Sequence, residues 1–120
     1  TKVMLMVKAA AYGHYTSVIC NKIQANKMAD MFGVATFAEG MELRADGIEL
    51  PVMVQNVSPQ YWDVMVEHCL EPVIHSFQVL DSLLTYLHSQ ESLLAGQYPI
   101  HIKLNTGMNR LGFDEVDLPE

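Results

Sequence analysis

Along the chain, short unbroken apolar runs alternate with longer stretches in which apolar residues recur every three to four positions. "VMLMV" (3–7) is apolar throughout and stops at Lys8, the pattern of a strand covered on both faces. "FGVATF" (32–37), "PVMVQN" (51–56), "PVIHS" (72–76) and "YPIHIKLN" (98–105) read as four further strands, the last alternating Ile100, Ile102 and Leu104. Between them, 16–31 spaces Val18, Ile19, Ile23 and Met28 as a helix does, with Thr16 or Ser17 as its cap. Residues 38–47 read as a short helix stopped by Gly47, and 58–68 as a helix opened by Ser58-Pro59. Residues 77–94 read as a long helix with Val79, Leu80, Leu83, Leu84 and Leu87 on one stripe. The terminal "DEVDLPE" starts another helix.

Strands alternating with helices imply an α/β fold with a parallel sheet. Two closures compete: an open doubly wound sheet, and a (β/α)8 barrel of TIM type. No G-x-G-x-x-G follows the first strand, so the dinucleotide-binding form of the open sheet lacks its main support. A barrel needs roughly 250 residues, so 120 residues supply a partial barrel, about the first five strands with their helices. The absence of an initiator Met also suggests a missing N-terminal segment.

Composition narrows the setting. Half the residues are apolar and 18% charged, with a net charge of −7 and no basic cluster, which argues against nucleic acid and membrane surfaces as partners. No apolar run is long enough to span a bilayer. Cys20 and Cys69 have no CxxC partner and read as buried free thiols of a reducing compartment, with the cytoplasm as the default. His68, Cys69 and His75 lack the spacing of a zinc site, so no metal is expected. His101 reads as a hydrogen-bonded packing residue, His88 as helix surface and His14 as loop packing. Glu42 with Arg44 reads as a solvated or loop-stabilising pair, and Trp62 with Tyr61 as a packing anchor on an outer helix.

In either closure, sites collect at the C-terminal ends of the strands. Two such ends carry unusual residues: "KAAAYGH" (8–14) and "KLNTGMNRLGF" (103–113). Low dielectric at a buried strand end disfavours an ammonium charge, and a free amine forms a Schiff base with an aldehyde. Arginine stays charged and donates to a phenolate or carboxylate. Lys8, Arg110 and Tyr12 as a phosphate donor together describe a pyridoxal phosphate site. The plain alternative is that Lys8 only ends a strand and Arg110 pairs with a surface carboxylate.

"VKAAAYGH" resembles the pyridoxal-phosphate attachment stretch of the alanine racemase family, commonly V-K-A-[DN]-A-Y-G-H-G. "KLNTGMNRLGF" is similar to that family's K-x-D-T-G-M-x-R-L-G motif, and "FGVATFAEGMELRADGIELPVMV" resembles the segment between. The resemblance implies an N-terminal pyridoxal-phosphate-binding barrel over residues 1–120, without the family's C-terminal β domain. It implies a cytoplasmic homodimer that interconverts L- and D-alanine for peptidoglycan of the cell wall. Lys8 then matches the lysine that holds pyridoxal 5'-phosphate and acts as one catalytic base. Tyr12 matches the tyrosine on the cofactor phosphate, and Arg110 the arginine near the phenolate oxygen and substrate carboxylate. Met108 lies beside the substrate. Lys103 matches a lysine often carbamylated, which turns a repelling cation into an anion that orients the arginine. The opposite base in the family is a tyrosine of the partner subunit's C-terminal domain, so this chain alone is expected to be inactive.

Three positions depart from the pattern: Ala10 stands for Asp or Asn, Tyr15 for Gly and Asn105 for Asp. Tyr15 is bulky where Gly allows positive φ, and Asn105 removes a negative charge near Lys103 and Arg110. Other readings are a racemase of another amino acid on the same fold and a non-catalytic pyridoxal-phosphate-binding barrel. A third is a fragment with open sheet edges and no function of its own.

Overall fold

In a computed structural model of the chain, residues 1–90 and 97–118 are described. Five strands form one parallel sheet in the order β1-β2-β3-β4-β5: β1 (Met4–Met6), β2 (Met31–Val34), β3 (Val52–Val54), β4 (Leu70–Ile74) and β5 (His101–Ile102). Strand order therefore follows chain order without a reversal. A doubly wound sheet must reverse at a switch point; a barrel does not, and this sheet is an arc of a (β/α)8 barrel.

Register sorts the side chains into two faces. Leu5, Phe32, Val52 and Leu70 stand in one row across four strands, and Met6, Gly33, Met53 and Glu71 in the next. Adjacent rows point to opposite faces. The first row is the outer one: Phe32, Val52 and Leu70 are fully buried in the core with Leu43, Trp62, Met65, Leu83 and Leu87 from the helices. The second row lines the inside of the arc. At Gly33 the Met6 and Met53 side-chain ends close over the backbone, so a Cβ there would displace the Met6 sulfur. On the same inner face His101 Nε2 meets Glu71 Oε2 at 2.7 Å, so His101 is the hydrogen-bonded packing residue expected.

The helices are shorter than the apolar spacing suggests. After a helical turn, α1 (Lys8–Gly13), the first ordinary helix, α2 (Thr16–Ala25), stops before 31 because Asn26 caps it and Lys27 turns left-handed at φ 52°. Only Cys20 of α2 is fully buried; Val18 and Met28 face outward, against the expected stripe. Neither Thr16 nor Ser17 is its cap, a position held by Tyr15 with no side-chain hydrogen bond. Helix α3 (Phe37–Ala45) begins one residue early because Thr36 and Glu39 form a capping box, which also ends the second strand before Thr36. Gly47 follows α3 at φ 81°, the expected stop.

The 58–68 segment divides into a 3-10 turn (Pro59–Tyr61) and α4 (Trp62–Glu67); Ser58 precedes Pro59 but makes no side-chain cap bond. Trp62 is buried and donates from Nε1 to Ser82 Oγ at 2.8 Å, while Tyr61 stacks on Phe37. Helix α5 (Phe77–Ser89) is capped by Ser76 and buries Val79, Leu83 and Leu87. The expected helix end at 90–94 lies largely outside the described residues. The last segment is a 3-10 turn (Glu115–Asp117) rather than a helix start.

Two further expectations are corrected. Arg44 does not pair with Glu42: its guanidinium donates to the carbonyls of Ile48, Leu50, His68 and Cys69 at 2.7–2.9 Å. Cys20 is buried, but Cys69 is exposed, because it takes a left-handed conformation (φ 50°) between α4 and β4 that turns its side chain outward.

Candidate active site

The site begins where β1 ends. Residues Lys8–Gly13 form a helical turn, α1, but a left-handed one: Ala9, Ala10, Ala11 and Tyr12 have φ of 51–54° and ψ of 36–54°. Left-handed helix costs an L-residue roughly 1–2 kcal/mol, so four in succession persist only where the surroundings over-determine them. Ala11 is buried in the core, and its N–H donates to Val7 O at 3.0 Å. His14 N–H closes the turn on Ala10 O and Ala11 O. The Ala9 N–H donates to Glu39 Oε1 at 2.9 Å. Nothing in the apolar pattern signalled this turn, because alanine carries no preference for left-handed backbone.

The far wall is built by 103–113. Lys103 N–H continues β5 onto Ile74 O, and the chain then loops out and returns: Phe113 N–H donates to Lys103 O, and Asn105 N–H to Phe113 O. Gly112 makes the return possible. Its φ is 133°, and a Cβ there would lie 2.8 Å from the Asn105 backbone nitrogen. Asn105 organises the loop interior, accepting from Gly107 N–H and Asn109 N–H and donating to Asn109 Oδ1 and Asp114 Oδ1. The expected loss of a charge at 105 thus has a local reason: the neighbouring acceptor is a carboxylate, which an amide satisfies and a second carboxylate would repel.

These walls enclose a cavity of about 480 Å³ at the C-terminal ends of the strands. Strand alternation brings Lys8, Gln55 and Lys103 onto the inner face two positions beyond Met6, Met53 and His101. Lys8, Lys103, Met108 and Arg110 all line this one cavity, so the two ends of the sequence pattern do converge. Tyr12 is elsewhere: it is exposed and outside the lining. Gln55 and Asn56 complete the wall from the end of β3 and were not singled out in the sequence. Their signal was available, as two amides closing an apolar strand.

Electrostatics define what the cavity accepts. Three cations line it, and no Asp or Glu does, in a chain whose net charge is −7. Among the described residues the Lys8 ammonium has one polar side-chain partner, the neutral Gln55 Oε1 at 3.5 Å. Arg110 has no carboxylate partner there; its Nη2 lies 2.9 Å from Met108 Sδ. Such a cavity suits an anionic ligand with more than one acidic group, and the unlocked amine of Lys8 suits a carbonyl. Pyridoxal phosphate, an aldehyde with a phosphate, fits this donor set.

Comparison with known proteins agrees with the geometry. The chain is 38% identical to the alanine racemase of Psychrobacter over 98% of its own length and 30% of that protein. It is 32% identical to the Haemophilus influenzae alanine racemase over 98% of its length and 31% of that protein. The chain thus spans about a third of the curated relatives it matches. Among solved structures, the alanine racemase of Acinetobacter baumannii superposes with a TM-score of 0.76 at 38% identity, over 95% of this chain and 31% of that one. That of Clostridium difficile superposes with a TM-score of 0.82 at 27% identity, over 93% and 28%. The family model "Alanine racemase, N-terminal domain" matches residues 1–120. Motifs, barrel arc and cavity therefore converge, and the chain belongs to the alanine racemase N-terminal domain family.

Proposed function

We propose that this chain is the cofactor-bearing part of a pyridoxal-phosphate-dependent racemase that interconverts L- and D-alanine, supplying D-alanine for peptidoglycan. The observation that carries the reading is the single cavity that joins the Lys8 amine to Lys103 and Arg110 with no carboxylate in its wall. Bound pyridoxal phosphate supplies an electron sink that acidifies the α-hydrogen of an attached amino acid.

The chain's own residues do the rest. Lys8 Nζ holds the cofactor and moves a proton to and from Cα on its own face of the substrate. Arg110 would donate to the phenolate oxygen of the cofactor and to the substrate carboxylate. Tyr12, which lies exposed outside the cavity wall, would have to turn inward to donate to the phosphate, and Met108 packs beside the substrate. Lys103 as a carbamate becomes an anion that orients Arg110; as an ammonium it repels it. A base on the opposite face, a tyrosine of a second subunit, completes the exchange, so the active species is a homodimer. Two free thiols fit a reducing compartment such as the cytoplasm. No helix among the described residues is long and apolar enough to cross a membrane.

The test is an absorbance spectrum of the intact protein with pyridoxal phosphate, beside Lys8→Ala, followed by an alanine racemisation assay. A bound-cofactor band that disappears in Lys8→Ala, with racemisation, supports the reading. A band retained in Lys8→Ala removes Lys8 from the role. The 120-residue chain by itself is expected not to racemise alanine.

A further inference from the structure

Glu39 lies in the first turn of α3, and its carboxylate is committed wholly to backbone. Oε2 accepts from Ala35 N–H at 2.6 Å and Thr36 N–H at 3.2 Å, closing the capping box. Oε1 reaches across to Ala9 N–H at 2.9 Å. Among the described residues, Glu39 is the one side chain that hydrogen-bonds the backbone of the left-handed turn.

The N–H of Ala9 and the C=O of Lys8 belong to the same peptide plane. Val7 N–H is held on Gly33 O, so fixing the Lys8–Ala9 peptide as well anchors the backbone on both sides of Lys8, and with it the direction in which its Cα–Cβ bond leaves the chain. A charged acceptor makes this bond stronger than a neutral one. It is placed at the first residue of the strained run, where a relaxed backbone would otherwise turn right-handed.

We propose that Glu39 is a positioning residue for Lys8: its two oxygens tie the Lys8–Ala9 peptide to the β2–α3 junction and so hold the lysine amine aimed into the cavity. The inference rests on the reading of Lys8 as the cofactor lysine. It gives the turn a physical support that comes from the neighbouring βα unit, about thirty residues away in the chain.

The two roles of Glu39 can be separated. Glutamine serves in a capping box, but its single carbonyl oxygen cannot accept from both Ala9 and the β2–α3 junction. Thr36→Ala weakens the same cap and leaves the Ala9 bond intact. In the intact protein, Glu39→Gln is expected to speed amide exchange at Ala9 and to weaken pyridoxal phosphate binding, each by about tenfold. Thr36→Ala is expected to lower Tm while leaving both readouts near wild type. Wild-type exchange at Ala9 in Glu39→Gln, or equal loss of cofactor affinity in Thr36→Ala, would overturn the proposal. A wild-type protein that takes no pyridoxal phosphate at Lys8 overturns the functional reading instead, and the cofactor half of this inference with it. Exchange at Ala9 still decides the Glu39 contact in that case.

Discussion

The side-chain amide of Asn105 donates to the Asp114 carboxylate at 2.7 Å, across the neck of the loop that carries Met108 and Arg110. The same side chain accepts two backbone N–H groups inside the loop. One residue thus closes the neck and fills the turn. An aspartate at 105 keeps the accepting half and loses the donating half.

Asn105→Asp is therefore expected to loosen the loop, costing on the order of 1–2 kcal/mol from the lost charge-assisted bond and the facing carboxylates. Because the loop holds Arg110, the proposed racemase activity of the intact protein should show a raised KM for alanine. Adding Asp114→Asn restores a donor–acceptor pair with the roles exchanged. The double variant should recover most of the loss in urea unfolding, and additive losses would show that the two side chains are not coupled.

Tyr15 and Ala10 occupy left-handed backbone, at φ 57° and 53°. Glycine tolerates that region freely, and asparagine better than alanine. Tyr15 is 81% exposed, so its side chain contributes little packing in exchange. Tyr15→Gly and Ala10→Asn should each stabilise the protein by up to about 1 kcal/mol. A fall in Tm for both would mean that the turn is not left-handed in solution.

Arg44 joins the end of α3 to the entries of β3 and β4 by donating to four carbonyls. Burial draws its pKa below the usual arginine value, with the charges of Cys69 and Glu71 opposing that shift. Lysine has three donors on one nitrogen and cannot reproduce the planar fork. Arg44→Lys should cost about 2–3 kcal/mol, read as a lower urea midpoint at unchanged slope.

Burial, reinforced by Asp46, raises the Cys20 thiol pKa from 9.0 to about 11. Tyr98, whose hydroxyl donates to Leu70 O, is raised above the usual tyrosine range, mainly by burial. Both groups lose their protons sooner in the unfolded chain than in the folded one. Their contribution is complete below pH 9 and falls as pH rises through about 11 and beyond. Unfolding free energy should drop between pH 9 and 11, and Cys20→Ala should flatten that drop. At neutral pH a thiol reagent should label Cys69 in the native protein and Cys20 only on unfolding; equal labelling of both would contradict the buried position of Cys20.

The sequence by itself determined five parallel strands alternating with helices and the two strand ends that lead to Lys8 and Arg110, though not the left-handed turn after the first strand or the closing 3-10 turn. Those features are local: unbroken apolar runs, helical spacing and residue types at strand ends express themselves without reference to distant parts of the chain. Element lengths were overestimated where a cap or a left-handed residue ended a periodic pattern, at Thr36 and Lys27. The apolar content of Val18 and Met28 also did not decide which face of the chain met the core.

Tertiary structure decided the rest. A consecutive strand order, and so a barrel arc in place of an open sheet, depends on pairing between segments far apart in the chain. The left-handed turn at Ala9–Tyr12 contradicts the intrinsic preference of every residue in it and is supported by Glu39 from the next βα unit. The inward wall of Gln55 and Lys103, and the pairing of Asn105 with Asp114, follow from register and loop closure. Local propensity carries no information about such contacts, because their energy exists only once the distant partners have been brought together.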